Sequence, residues 1–127
     1  MFYGVDLEDS WVFGWHFNSS QNQLIFDLDV SLWQGNKHYE TPLHEEYTCY
    51  KRGCLIFDDV TSIHDLLPMN AVKPSIDPDG SIDYGNIEGL RHIGDGIYKF
   101  GGEVAKDFGE VSVKCGYIRL EINERPQ

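Results

Sequence analysis

Basic residues are scarce in this chain. Ten lysines and arginines stand against 21 aspartates and glutamates, for a formal net charge of -11, and no basic cluster is larger than Lys51-Arg52. Such a surface repels phosphate backbones, which argues against nucleic acid as a direct ligand. Acidity of this degree suits a basic protein partner or a cation, and it also keeps a protein soluble. Long apolar runs are missing too: no stretch approaches the roughly 18 residues of a membrane-spanning helix, and MFYGVDLEDSW has neither the basic start nor the apolar run of a secretory signal. Cysteine is sparse. Cys49, Cys54 and Cys115 cannot all pair within one chain, so the expected setting is a reducing one, the cytoplasm. The 3.6-residue periodicity of an amphipathic helix is also absent, which leaves no material for β-α-β units.

What is present is enough apolar and aromatic material for one core. With 127 residues, 41% hydrophobic and 13% aromatic, the chain matches one globular domain over 1–127, expected to bury roughly two thirds of its unfolded surface. The recurring pattern is alternation. WVFGWHF (11–17) and LIFDLDVSLW (24–33) read as two strands of a hairpin joined by the polar NSSQNQ. YTCYKRG and CLIFDDV read as two more strands around Gly53, and IHDLL before Pro68 is the one candidate for a short helical turn. Pro68, Pro74, Pro78 and Gly80 make the middle of the chain a loop, and Gly94-Asp95-Gly96 and Gly101-Gly102 punctuate further short strands. Residues 111–115 and 117–122 read as a final hairpin about Gly116. The predicted fold is all-β, an antiparallel sandwich or partly open barrel with at most one short helix.

The stretch LIFDLDVSLW carries the most suggestive chemistry. FDLDVSL resembles the first motif of haloacid-dehalogenase-type phosphohydrolases, which would make Asp27 the nucleophile, Asp29 the general acid and Ser31 the small hydroxyl residue. Those enzymes place the pair where a parallel strand ends, under a cover of helices. Here the alternation continues to Trp33 and the helices are missing, so the motif reads better as a strand. Leu24, Phe26, Leu28, Val30 and Leu32 would line one face, and their burial is worth on the order of 7–15 kcal/mol before chain entropy is subtracted. Asp27 and Asp29 would lie roughly 6.7 Å apart on the other face, with Trp33. A one-residue slip would bury both carboxylates unpaired, so the pattern sets the register. Paired carboxylates beside a tryptophan also make a candidate surface for a carbohydrate, another small polar ligand or a protein, and a candidate hydrolytic pair.

Trp11, Phe13, Trp15 and Phe17 are expected to share one face of their strand, as core, with His16 opposite as a candidate ligand or base. Two metal patterns stand beside these. DPDGSIDYGNIE (77–88) resembles an EF-hand calcium loop, with Asp77, Asp79, Ser81, Asp83 and Glu88 at ligand places, but the sharp-turn position is Ile82 where the loop needs glycine. A Pro-Asp-Gly turn explains the same residues. His38, His44, Cys49 and Cys54 are zinc-ligand types, but without the close cysteine pairs of structural zinc sites. Neither a metal nor another cofactor is therefore assigned.

A broader likeness covers the first 60 residues or so. Asp9-Ser10, then Gly14-Trp15 with Phe17, then Leu24 to Trp33 with its Asp-x-Asp, then GCLIFDDV, is similar to a loose group of small uncharacterised bacterial β-rich proteins, some of which look similar to immunity proteins of toxin systems. The resemblance implies a small acidic β-protein without enzymatic activity that binds a basic, toxin-like partner protein. Asp27, Asp29, Trp33 and His16 are the candidate binding residues. The alternatives are a polar-ligand-binding or hydrolytic domain using Asp27, Asp29 and Trp33, and calcium binding through 77–88.

Overall fold

A computed structural model describes residues 2–42 and 48–123. The structure is all-β, built from antiparallel sheets that do not close into a barrel. The first sheet contains β1 (Val5–Asn18), β2 (Gln23–Leu32), β3 (Cys49–Asp58) and β10 (Tyr117–Ile122), in the order β1-β2-β3-β10. The second contains β4 (Ser62–His64), β7 (Glu88–Gly94), β8 (Ile97–Gly101) and β9 (Val111–Lys114), in the order β4-β9-β8-β7. A small hairpin of β5 (Ser75–Ile76) and β6 (Ile82–Asp83) lies between them in sequence.

The alternation in β2 is realised in full. Leu24, Phe26, Leu28, Val30 and Leu32 are all buried and pack with Leu55 and Phe57 of β3 and with Phe100, Val111 and Val113 of the second sheet. Phe26 is central, with its ring 5.5 Å from Phe100, 6.2 Å from Phe57 and 6.0 Å from Trp15. Offset and edge-on contacts of this kind add about 0.5–1.5 kcal/mol per pair beyond area burial.

Four local expectations are corrected. The aromatic stripe of β1 does not stay on one face. Val12 pairs with Leu28 but Gly14 pairs with Asp27, so Phe13 is an extra residue, a β-bulge, and the strand changes phase there. Val12 and Trp15 enter the core, while Trp11 meets Tyr50 and Phe13 meets Arg52 on the opposite face, and Phe17 is exposed at the strand end. Gly53 is not a turn but the middle of one continuous strand: a Cβ there would lie 2.5 Å from the Glu121 carbonyl oxygen, so glycine permits β10 to approach.

Residues 111–115 and 117–122 do not form a hairpin. β9 pairs with β8 and β4, and β10 with β3, so the chain changes sheets at Gly116, whose N–H donates to the Asp58 carbonyl at 2.8 Å. Finally, IHDLL is not helical. Ile63 and His64 belong to β4, and the turn of 3-10 helix at Met69–Ala71 starts after Pro68, whose ring presets φ at -70°. A second short turn spans Lys106–Phe108, but with Asp107 and Phe108 at positive φ rather than in right-handed helical geometry.

Candidate functional site

The candidate face of the first sheet is built by β1, β2 and β3. Trp11, Asp29 and Arg52 stand in one row across the sheet, and Gly14, Asp27, Cys54 and Glu121 in the next. The Arg52 guanidinium lies 3.5 Å from the centroid of the Phe13 ring, a cation–π contact on the surface. Asp27 is half-buried, not freely solvated, and its Oδ1 accepts a hydrogen bond from the Cys54 thiol at 3.3 Å. Burial first, then Asp27, pushes the Cys54 thiol up to about 11. Asp29 is also half-buried, and His16 is exposed opposite Ile25, one row beyond Asp27 and two beyond Asp29 on the same face. Trp33 is 56% exposed just beyond the end of β2, and it lines a different feature, a cavity with Phe2, Val5, Leu7 and Leu90. Asp27 and Asp29 thus share a face, while Trp33 opens onto the side of the sandwich.

Asp9-Ser10 has a structural role. Between Asp6 and Trp11 strand β1 loops out of register, and the Asp6 carboxylate accepts the N–H groups of Glu8 and Asp9 at 3.1 and 3.2 Å. Asp9 Oδ2 accepts from the Ser31 hydroxyl at 3.0 Å and the Tyr50 hydroxyl at 3.2 Å, and the Ser10 hydroxyl accepts from the Ser31 N–H. Gly14-Trp15 has one too. Trp15 Nε1 donates to the Leu67 carbonyl at 2.9 Å, and the missing side chain of Gly14 leaves room for the Met69 thioether.

The calcium-like loop folds as a turn. Gly80 adopts φ +87°, and Asp77 and Asp79 both accept from the Ser81 hydroxyl, which holds the Asp79 carboxyl below its usual range. Asp83 instead accepts the Gly85 N–H at 2.7 Å, and Glu88 starts β7. Of the zinc-type residues, His44 lies outside the described residues, Cys49 is buried in the core and Cys54 lies on the opposite face. Among the described residues no three His, Cys, Asp or Glu side chains gather as a metal site.

The larger of two cavities, of about 990 Å³, lies away from the Asp27 and Asp29 face, with Glu88 of the calcium-like segment on its rim. Its apolar lining comes from Leu67, Val72 and Phe108, and its rim carries Glu8, Glu88, Glu103, Asp107 and Glu110, with Lys73 the one cation among the described lining residues. Phe108 is fully exposed. The backbone presents it in an unusual way: Asp107 and Phe108 both sit at positive φ, +54° and +58°, before Gly109. A bulky residue in the left-handed region costs on the order of 1–2 kcal/mol, and strain of this kind concentrates at working surfaces. The local signal for it is KDFGE, a phenylalanine beside glycine among charges, with Glu103 just before it, but Glu8 and Glu88 come from distant segments. Glu110 is held by Arg91 in a two-pronged pair at 2.5 and 2.8 Å, which keeps its carboxyl ionised below the ordinary range. Among the described residues no helix is long and apolar enough to cross a membrane. Comparison with protein-family models, curated proteins and solved structures returned no match to this chain.

Proposed function

We propose that this protein is a non-enzymatic acidic module that binds a basic partner protein, of the kind its resemblance to toxin-system immunity proteins implies, and that it works in the cytoplasm. The observation that carries this is the cavity of about 990 Å³ with apolar walls, an acidic rim and a fully exposed phenylalanine. Its volume is at the top of the range of small-molecule pockets, about 300–1,000 Å³, and its rim is far more charged than a typical one. An exposed aromatic beside like charges is instead the pattern of a protein-binding surface, where the ring anchors and the charges steer encounter.

Two further observations support the same function. The thiols of Cys54 and Cys115 are each pushed up to about 11, chiefly by burial, which is the wrong direction for a cysteine nucleophile. Cys49, Cys54 and Cys115 are free, in keeping with a reducing compartment.

The test is capture on the immobilised full chain, followed by titration of each purified candidate against the wild type and the Glu88→Gln/Asp107→Asn pair. A basic protein that binds the wild type less tightly as salt rises, and loses about tenfold in affinity with the pair at low salt, is the expected result. Candidates that bind both forms equally, or only at low salt and without saturation, would overturn it.

A further inference from the structure

The cavity at Phe108 does not end at its own rim. A second cavity of about 440 Å³ is lined by Phe2, Leu7, Trp33 and Leu90, and both cavities share Glu8 and Gly89. They therefore adjoin at those two residues, and together they are read as one trough. Its position follows from the topology: β1 is an edge of the first sheet and β7 is an edge of the second, and the trough runs along the side where those edges approach each other. The middle of β1 is already occupied, since Val12 exchanges backbone hydrogen bonds with Tyr84 and Gly85 at 2.9 and 2.8 Å. The first part of β1, Val5 to Glu8, borders the trough: it pairs with β2 at Val5 and Asp6 and leaves register after Asp6.

We infer that this trough takes an extended, arginine- or lysine-bearing segment of the basic partner, with an apolar side chain anchored at each end. This rests on the partner-binding function proposed above and adds the shape and chemistry of what is bound. Trp33 and Leu90 form the anchor at one end, and Phe108 and Val72 the anchor at the other. Glu8, Glu88 and Asp107 line the stretch between, where cationic side chains lie over them. Joined, the two cavities exceed what a small ligand fills, whereas an extended chain presents side chains at regular intervals and can reach both ends. A second copy of this chain is a poor occupant: each copy carries a net charge of -11, and the trough would face another acidic surface.

Two labelled peptides of equal composition separate the possibilities in fluorescence anisotropy with the full chain. One carries leucines at both ends with arginines and glycines between; the other gathers its leucines at the centre. The leucine-ended peptide is expected to bind about tenfold tighter, as two anchors are buried only in that arrangement. Trp33→Ala and Phe108→Ala should each weaken it about five- to tenfold, and Glu8→Gln/Glu88→Gln by a similar factor with a shallower salt dependence. All four side chains are exposed, so melting temperatures should stay close to the wild type, and a variant that melts normally reports on binding alone. If Trp33→Ala leaves affinity unchanged while the acidic variants weaken it, the trough is not one site, although the acidic groove at Phe108 survives. If the two peptides bind equally, the extended-segment inference falls on its own. If neither binds and the Glu88→Gln/Asp107→Asn pair also leaves every purified partner unaffected, the partner-binding function falls with it.

Discussion

Cys54 donates its thiol proton to the carboxylate of Asp27 at 3.3 Å, across neighbouring strands and on the face turned away from the core. The aspartate that most resembled a nucleophile in the sequence is therefore already engaged as an acceptor. The thiol, raised to about 11 by burial and by Asp27, should alkylate slowly at neutral pH. Asp27→Asn removes one of the charges that oppose the thiolate. Iodoacetamide labelling at pH 8, mapped to Cys54 by mass spectrometry, should then run roughly three- to tenfold faster than in the wild type. An unchanged rate would mean that burial alone governs this thiol.

Asp58 ties the last strand to the first sheet. Its carboxylate accepts from Arg119 Nε at 2.6 Å and from Gln23 Nε2 at 2.8 Å, and the Arg119 guanidinium holds its pKa below the ordinary value of 3.8. A lowered folded-state pKa means stability that is complete above pH 3.8 and is lost as the pH falls below it through the folded value. Asp58→Asn should cost about 1–2 kcal/mol at pH 7, a figure kept low because the arginine is partly exposed. The difference between variant and wild type should shrink in urea melts below pH 3.8. A constant difference down to pH 2 would exclude the ionic part.

The contact of Gly53 with β10 gives a sharper structural test. Gly53→Ala places a methyl group 2.5 Å from the Glu121 carbonyl oxygen, which the ladder cannot absorb without moving β10. A loss of about 1–3 kcal/mol is expected, with faster amide exchange at Ile118, Leu120 and Ile122 than elsewhere in the sheet. Uniform exchange would show that the strain spreads through the whole sandwich.

Phe108 should show a conflict between stability and function. Its side chain buries nothing, yet its backbone holds φ +58°. Phe108→Asn should raise stability by about 0.5–1 kcal/mol, since asparagine tolerates this conformation. The same change should weaken binding of the basic partner. A variant that is both less stable and equally able to bind would place Phe108 outside the surface.

In the core, Phe26→Ala should cost about 3–5 kcal/mol in denaturant melts, because the ring is fully buried among Trp15, Phe57 and Phe100 and leaves a cavity that these neighbours cannot fill. A loss below about 1 kcal/mol would mean that the two sheets close over the gap.

The local patterns went as far as local physics reaches. Strict alternation from Leu24 to Leu32, the polar turn before it, the Gly94-Asp95-Gly96 break between short strands and the missing helical period determine strands, the β1-β2 hairpin and the all-β class, because each depends on a residue and its near neighbours. What a strand pairs with is another matter. The phase change at Phe13 depends on how β1 meets β2, the passage of Gly53 on how close β10 comes, and the separation of β9 from β10 on which sheet offers each an open edge. None of these is written in the period of its own segment.

The same holds for the surface. The net charge of -11 is a property of composition and was legible at once. That Glu8 and Glu88 share one groove with Glu103 and Asp107 is not, since these come from three separate segments of the chain and meet only when the edges of two sheets are brought side by side. Composition sets how much charge a protein carries; only tertiary packing decides where that charge is concentrated, because burial of the apolar faces is what brings those edges together.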